Sequence, residues 1–417
     1  MNVLLKSVTI IDPASKSNHL KKRDILIKNG RIEGIAARIE TANNIRVIQQ
    51  KDLCVSRGWF DSGVSFGEPG FEERETIANG LATAAKSGFT SIVLNPNTHP
   101  KPDSSGAIIF LKKSAEGNAV ELIPLGSLTV KSSGVDLAEL YDMHNAGARG
   151  FYDFKSPIEN SNLLKIALQY SQNFGGLVYS FPLDRKLAPN GIVHEGASST
   201  RLGLKGIPNL AENLQIKRDL DILEYSGGKL HIPTVSSGAA IKHVVEAKKK
   251  GLDVSCSVAI HNLWFTDEVL EAFDSNYKVL PPLRTREDQK VLIKAIKDGV
   301  IDFVTTDHTP MDIEEKRLEF DNAGYGSLGL ENAFGVLNQL FGTEMAVDLL
   351  TRGKERYGVE DLPIEEGEIA CLSLFDPEVS FQLNKDHLYS TSKNSMFLGE
   401  ELKGKAVGII ANNQLIV

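Results

Sequence analysis

Glu72-Glu73-Arg74-Glu75-Thr76-Ile77-Ala78-Asn79-Gly80-Leu81-Ala82-Thr83-Ala84-Ala85-Lys86-Ser87-Gly88, followed by Thr90-Ser91-Ile92-Val93-Leu94-Asn95, is one helix-then-strand unit that sets the architecture. The amphipathic run closed by Gly88 reads as a helix with a glycine C-cap, and the short apolar run after it reads as a strand. The same pairing recurs along the middle of the chain. Strand candidates are residues 59–66, 90–95, 121–128, 150–154, 177–181, 229–235, 253–260 and 302–306, with a second clear helix over 239–250 closed by Gly251. Eight alternating units predict an α/β fold of the (β/α)8 TIM-barrel type. A doubly wound open sheet is the rival, but no Gly-x-Gly-x-x-Gly turn follows any of these strands.

The two ends read differently. Strand 3–11 precedes a hairpin in which Asn29-Gly30 joins 24–28 to 31–35, a strong two-residue turn signal. At the other end, 371–375, 379–383 and 406–417 are strand-like, with Asn412-Asn413 marking a turn. The expected organisation is therefore a small, β-sandwich-like domain from both termini (1–56 plus 366–417) around a barrel over 57–365.

Composition excludes several function classes. The formal net charge of −8, with no basic stripe, argues against nucleic-acid or anionic-membrane partners. No stretch approaches the roughly 20 apolar residues of a membrane span, and the polar-interrupted N-terminus does not read as a signal peptide. Cys54, Cys256 and Cys371 are widely spaced and read as reduced thiols, so a cytoplasmic location is expected.

In a TIM barrel the chemistry sits at the C-terminal ends of the strands. There the sequence carries Gly58-Trp59-Phe60-Asp61, Glu68-Pro69-Gly70, the run from Gly88 to Asn97-Thr98, Gly203-Leu204-Lys205-Gly206-Ile207-Pro208, Pro281-Pro282-Leu283-Arg284 and Thr306-Asp307-His308-Thr309-Pro310. Lys393-Asn394, Phe397 and Gly399 follow late in the chain. In order and spacing these motifs resemble the bacterial barrel-type dihydroorotases of the amidohydrolase superfamily. That resemblance implies two zinc ions at the barrel mouth, activating a hydroxide that attacks the cyclic amide of dihydroorotate.

The same resemblance marks what is missing. Gly63 and Ser65 stand where the family has a His-x-His pair, and Gly67 where an arginine binds the substrate carboxylate. Ser180 and Thr234 occupy two further zinc-histidine positions; Leu280 and Met311 replace an asparagine and a histidine that contact substrate. Retained are Asp153 at the bridging-carboxylate position, Asp307 at the last-strand ligand and general acid/base position, and Asn97 at a substrate-amide position. A complete four-ligand structural zinc site is worth roughly 10–16 kcal/mol, so losing four imidazoles removes nearly all specific zinc binding. Asp153 and Asp307 alone suit at most a weakly held hard cation.

The remaining groups suggest little replacement chemistry. Asp307 and His308 are adjacent on a strand and point to opposite faces, so His308 reads as structural. His231 and His261 read as hydrogen-bonded core histidines, and no Gly-x-Ser-x-Gly elbow occurs. No cofactor is expected. The expectation is a non-catalytic dihydroorotase homologue, homo-oligomeric, serving as a structural or regulatory partner of aspartate transcarbamoylase. Two rival readings are an active cyclic-amide hydrolase with an atypical zinc or single-metal site, and a small-molecule sensor. The sensor would use the barrel mouth, with Asn97, Arg284 and residues 324–329 lining it.

Overall fold

The computed structural model describes residues 1–40 and 44–417. Within them the barrel staves follow one another in chain order: Trp59–Val64, Phe89–Leu94, Glu121–Pro124, a single bridge at Phe151, Leu177–Tyr179, Lys229–Ile232, Val254–Ala259 and Phe303–Thr305. The first three pair in parallel, as do the last four. Phe151 joins the two groups by bridging in parallel to Gly126 and to Val178. The fold is a (β/α)8 TIM barrel with a β-rich domain.

The fourth stave is much shorter than the sequence pattern over 150–154 suggests. Its neighbour's next amides, Leu128 and Thr129, donate to the Asp153 carboxylate, both at 3.0 Å, instead of to a backbone carbonyl of the stave. The first helix is also shorter than expected, running Ile77–Lys86. Thr76 caps it by accepting from the Asn79 amide at 3.1 Å, while Glu75 upstream turns away to accept from Thr391. Residues 239–250 likewise resolve into a short 3-10 turn and the helix Ile241–Lys249.

Strand alternation separates the two faces of the barrel wall. Trp59, Ile92, Leu122, Val178, Leu230, Cys256 and Val304 pack outward under the helices. Phe60, Tyr179, Phe303 and Tyr357 form a second buried cluster that plugs the barrel, with His231 stacked 5.2 Å from Phe303. Burial of each such side chain contributes roughly 1.5–3 kcal/mol.

The terminal strands form one eight-stranded sheet containing Asn2–Ile10, Cys54–Arg57 and Leu372–Gln382 at its centre. A bulge between Leu5 and Val8 shifts the alternation, so that Val3 and Leu5, then Val8 and Ile10, all face the sheet's own core. Ser7 adopts φ 55° at this bulge, and its amide is held by Asp24 at 2.8 Å. Asn29-Gly30 and Asn412-Asn413 both turn with positive φ, as type I′ hairpins require. The segments 371–375 and 379–383 belong to a single strand, Leu372–Gln382, interrupted between Asp376 and Ser380 where Pro377 has no amide to donate. Trp59 fastens this sheet to the barrel. Its ring lies 5.0 Å from Phe334 and 5.3 Å from Phe375, and its amide donates to Ser373 at 2.8 Å.

Closure between the last and first staves depends on a side chain. No ladder pairs Phe303–Thr305 with Trp59–Val64. Instead the Asp61 carboxylate, 1% exposed, accepts from Thr305 Oγ1 at 2.7 Å, from the Thr306 amide at 3.1 Å, from Thr306 Oγ1 and from the Gly63 amide at 3.0 Å. Asp61→Ala deprives several buried donors of their acceptor at once. It is expected to lower the unfolding free energy by roughly 3 kcal/mol or more in urea titrations, with Asp61→Asn costing less because one carbonyl acceptor remains.

Candidate functional site

At the C-terminal end of the barrel the strand ends enclose a cavity of only about 20 Å³, room for roughly one water molecule. Gly63, Asn95, Tyr152, Lys155, Thr234 and Asp307 are among its walls. The positions singled out by the sequence meet different fates around it.

Gly63 lines the cavity, and a Cβ there would lie 3.2 Å from Thr305 Oγ1. Ser65 accepts from Asn95 Nδ2 at 3.2 Å. Ser180 turns to Asp219, donating to its carboxylate at 2.6 Å. Thr234 lines the cavity with a buried hydroxyl that has no partner. Gly67 is closed off by its own loop, because a Cβ there would stand 1.7 Å from the Phe71 carbonyl oxygen. Leu280 packs against the aromatic plug, and Met311 is buried with its amide held by Asn394 at 3.0 Å.

The retained positions do not converge. Asp153 is absent from the cavity wall; its carboxylate accepts from the amides of Leu128 and Thr129 and from Thr129 Oγ1. Burial pushes its pKa up, and these hydrogen bonds oppose that rise. The two retained carboxylates hold different partners: backbone amides and Thr129 at Asp153, Lys155 at Asp307. Asn97 is not among the cavity walls either: its Nδ2 donates to the Phe66 carbonyl at 2.8 Å, and its Oδ1 is buried without a partner. Arg284 is 3% exposed and committed to Ser236, Ile207 and Glu212, so it does not line the mouth either.

Asp307 does face the cavity, and its partner is a residue the sequence reading passed over. Lys155 Nζ donates to Asp307 Oδ2 at 2.8 Å, with the side chains 10% and 4% exposed. Burial raises the Asp307 pKa and Lys155 lowers it, desolvation being the larger cause. Tyr152 was missed as well: a tyrosine inside an apolar run carries no spacing signal. Asn95, inside the strand-end run quoted from the sequence, does line the cavity.

Lys155, Thr234 and Asp307 all have left-handed backbones, with φ 51°, 51° and 47°. For non-glycine residues this costs of order 1–2 kcal/mol each, most clearly for β-branched Thr234. Such strain is concentrated at functional sites, and here it lies on the mouth itself.

Three buried histidines lie near the strand ends, and one of them, His231, also lines the cavity. His308 Nδ1 accepts from the Gly329 and Leu330 amides at 3.1 and 3.3 Å, behind the strand as side-chain alternation requires. His231 bridges Ser255 and Ser257 at 2.9 and 3.2 Å. His261 is buried, and Nε2 has no partner. Burial lowers all three pKa values: His261 to about 3, His308 to about 4, His231 well below the ordinary range.

Zinc needs several nitrogen, sulfur or carboxylate donors converging on one point. Among the described residues, no group of three or more His, Cys, Asp or Glu is so arranged. The residues at the mouth do not fit the zinc pair that the resemblance implies.

A family model described as dihydro-orotase-like matches residues 53–240. The dihydroorotase of Pelotomaculum thermopropionicum is 35% identical over 424 residues, spanning 100% of this chain and 99% of that protein. The dihydroorotase of Geobacter metallireducens is 34% identical over the same spans. Among solved structures, the L-hydantoinase (dihydropyrimidinase) from Arthrobacter aurescens matches with TM-score 0.84 at 21% identity, covering 100% of this chain and 96% of that one. The D-hydantoinase (dihydropyrimidinase) from Thermus sp. matches with TM-score 0.84 at 21% identity, covering 100% and 95%. At such identities the structural likeness speaks for the fold.

The buried histidines generate a pH dependence. An unfolded histidine takes up its proton near pH 6.5, but the folded protein resists until about pH 3 at His261 and about pH 4 at His308. Their stabilisation is therefore present above pH 6.5 and is lost as pH falls, by about 1.4 kcal/mol per pH unit for each group. Buried carboxylates with raised pKa contribute with the opposite sign over the same range, so the readout is the difference between proteins. In urea unfolding between pH 6 and pH 4, His261→Asn should lose less stability than the unsubstituted protein, by about one proton's worth of slope.

Proposed function

This chain belongs to the dihydroorotase-like family, and we propose that it is a non-catalytic member of it. In this reading it contributes to de novo pyrimidine biosynthesis as a cytoplasmic structural or regulatory partner of aspartate transcarbamoylase, and is itself homo-oligomeric. One observation carries the reading: the mouth has about 20 Å³ left, with Lys155 on Asp307 where metal and substrate would meet. Small-molecule sites are ordinarily clefts of some 300–1,000 Å³. The position of Phe71 against Gly67 adds to this, since no arginine fits there to receive a substrate carboxylate. The transcarbamoylase partner follows from the resemblance to second-copy homologues that lack the metal histidines.

The names of the relatives favour an active dihydroorotase instead, which makes zinc content the deciding quantity. Elemental analysis of the purified protein should give well under one zinc per chain, and dihydroorotate should not be turned over in zinc-supplemented buffer. About two zinc per chain with turnover would establish the active enzyme. The same closed cavity weighs against a sensor at the mouth. Mixing with an aspartate transcarbamoylase from the same source should give a co-eluting complex by size exclusion; separate elution removes the partner from the reading.

A further inference from the structure

Asp307 presents a problem of charge. A carboxylate with so little exposure is costly unless it is paired or hydrogen-bonded. Among the described residues, its carboxylate receives one hydrogen bond, from Lys155 Nζ. Asp153, by contrast, is satisfied by backbone amides and a threonine hydroxyl, with no cation in contact.

The position of Lys155 is constructed. Asp153 and Lys155 would share a face in a regular strand, yet one turns to Thr129 and the other into the cavity. The left-handed backbone at Lys155 produces that divergence. Its amide donates to the Tyr152 hydroxyl at 3.0 Å, and its carbonyl accepts from Arg185 at 3.3 Å. The ammonium also lies 5.3 Å from the centre of the Phe154 ring, within cation–π range. Strain at one residue, offset by two backbone anchors and a ring, aims a single positive charge at the retained carboxylate.

We infer that the Lys155 ammonium is the resident cation of this barrel mouth, a covalently tethered replacement for the metal ion that the family resemblance places against Asp307. A tethered charge needs no metal supply and no imidazoles, so Gly63, Ser65, Ser180 and Thr234 are free to be small. It brings no labile water, so it neutralises the carboxylate without generating a nucleophile.

The inference rests on the mouth holding no zinc, and the two can fail separately. Zinc found in the purified protein removes the reading of the previous subsection; the following cycle tests the lysine itself. Thermal unfolding is measured for the full chain and for Lys155→Met, Asp307→Asn and the double variant. Each single change strands a buried charge and should lower Tm by roughly 5 °C or more. The double variant should fall by clearly less than the sum of the two. Additive shifts overturn the proposal. If a single variant does not fold, the double variant decides: a Tm within about 5 °C of the unsubstituted protein supports the pair, and an unfolded double variant refutes it. Zinc or EDTA added to the unsubstituted protein should leave its Tm unchanged, and a zinc-dependent rise overturns the assignment of the cation site to Lys155.

Discussion

The Asp61 carboxylate is the constraint on which the barrel depends. A (β/α)8 sheet must meet itself, and here the meeting edge has no backbone ladder. The gap between Thr305 and Gly63 is spanned by the buried carboxylate, which accepts from both sides, and by Thr305 Oγ1, which also donates to the Gly63 carbonyl at 3.1 Å. Beyond it the Ser65 amide reaches the His308 carbonyl at 2.7 Å, so the seam continues to the mouth. Asp61 is buried enough that desolvation raises its pKa even against four hydrogen bonds. A charge so placed is tolerated because its donors are fixed by two strands that cannot move independently.

The closed seam fixes where strands one and eight end, and therefore what they present to the cavity. Gly63 and Asp307 sit on either side of it, with Asn95 from the second strand and Thr234 from the sixth completing the wall. Thr234 and Asp307 both reach the cavity from left-handed backbone positions. The mouth rests directly on the plug of Phe60, Tyr179, Phe303 and Tyr357: Tyr179 belongs to that cluster and also lines the cavity.

Much of the architecture was legible because two periodicities alternate along the chain and because Asn-Gly, Asn-Asn and helix-ending glycines punctuate them. The fourth stave was hard to size, since residues 150–154 look like a full strand and yet pair only at Phe151. A side chain, Asp153, takes the amides that a strand would have taken, and no pattern announces that substitution. The site was legible only through the positions that the family's motif picks out. Gly63, Ser65, Gly67, Ser180 and Thr234 stand out against the family's motif, whereas Lys155 stands out against nothing. A lysine at a strand end ordinarily reads as solvated, and only its left-handed backbone sends it inward. The motif singled out Asn97, whose Nδ2 supports the Phe66 carbonyl, and in the same run it is Asn95 that lines the cavity.

The loop after the first strand ties the two sides of the mouth together. Gly67 donates to the Glu75 carbonyl at 2.8 Å, and the Phe71 amide returns to the Gly67 carbonyl at 2.9 Å, folding the loop tightly over position 67. Any side chain there would require the Phe71 carbonyl to move, breaking that turn. Glu75 holds the far side by accepting from Thr391 and Asn79, tying the loop to the late Lys393-Asn394 region. Asn394 in turn holds Met311 and the carbonyls of Thr309 and Gly326. Restoring an arginine at 67 would therefore disturb a chain of contacts reaching from the first strand to the eighth. The glycine is part of a continuous packing of the mouth that runs from the first strand's loop to Asn394.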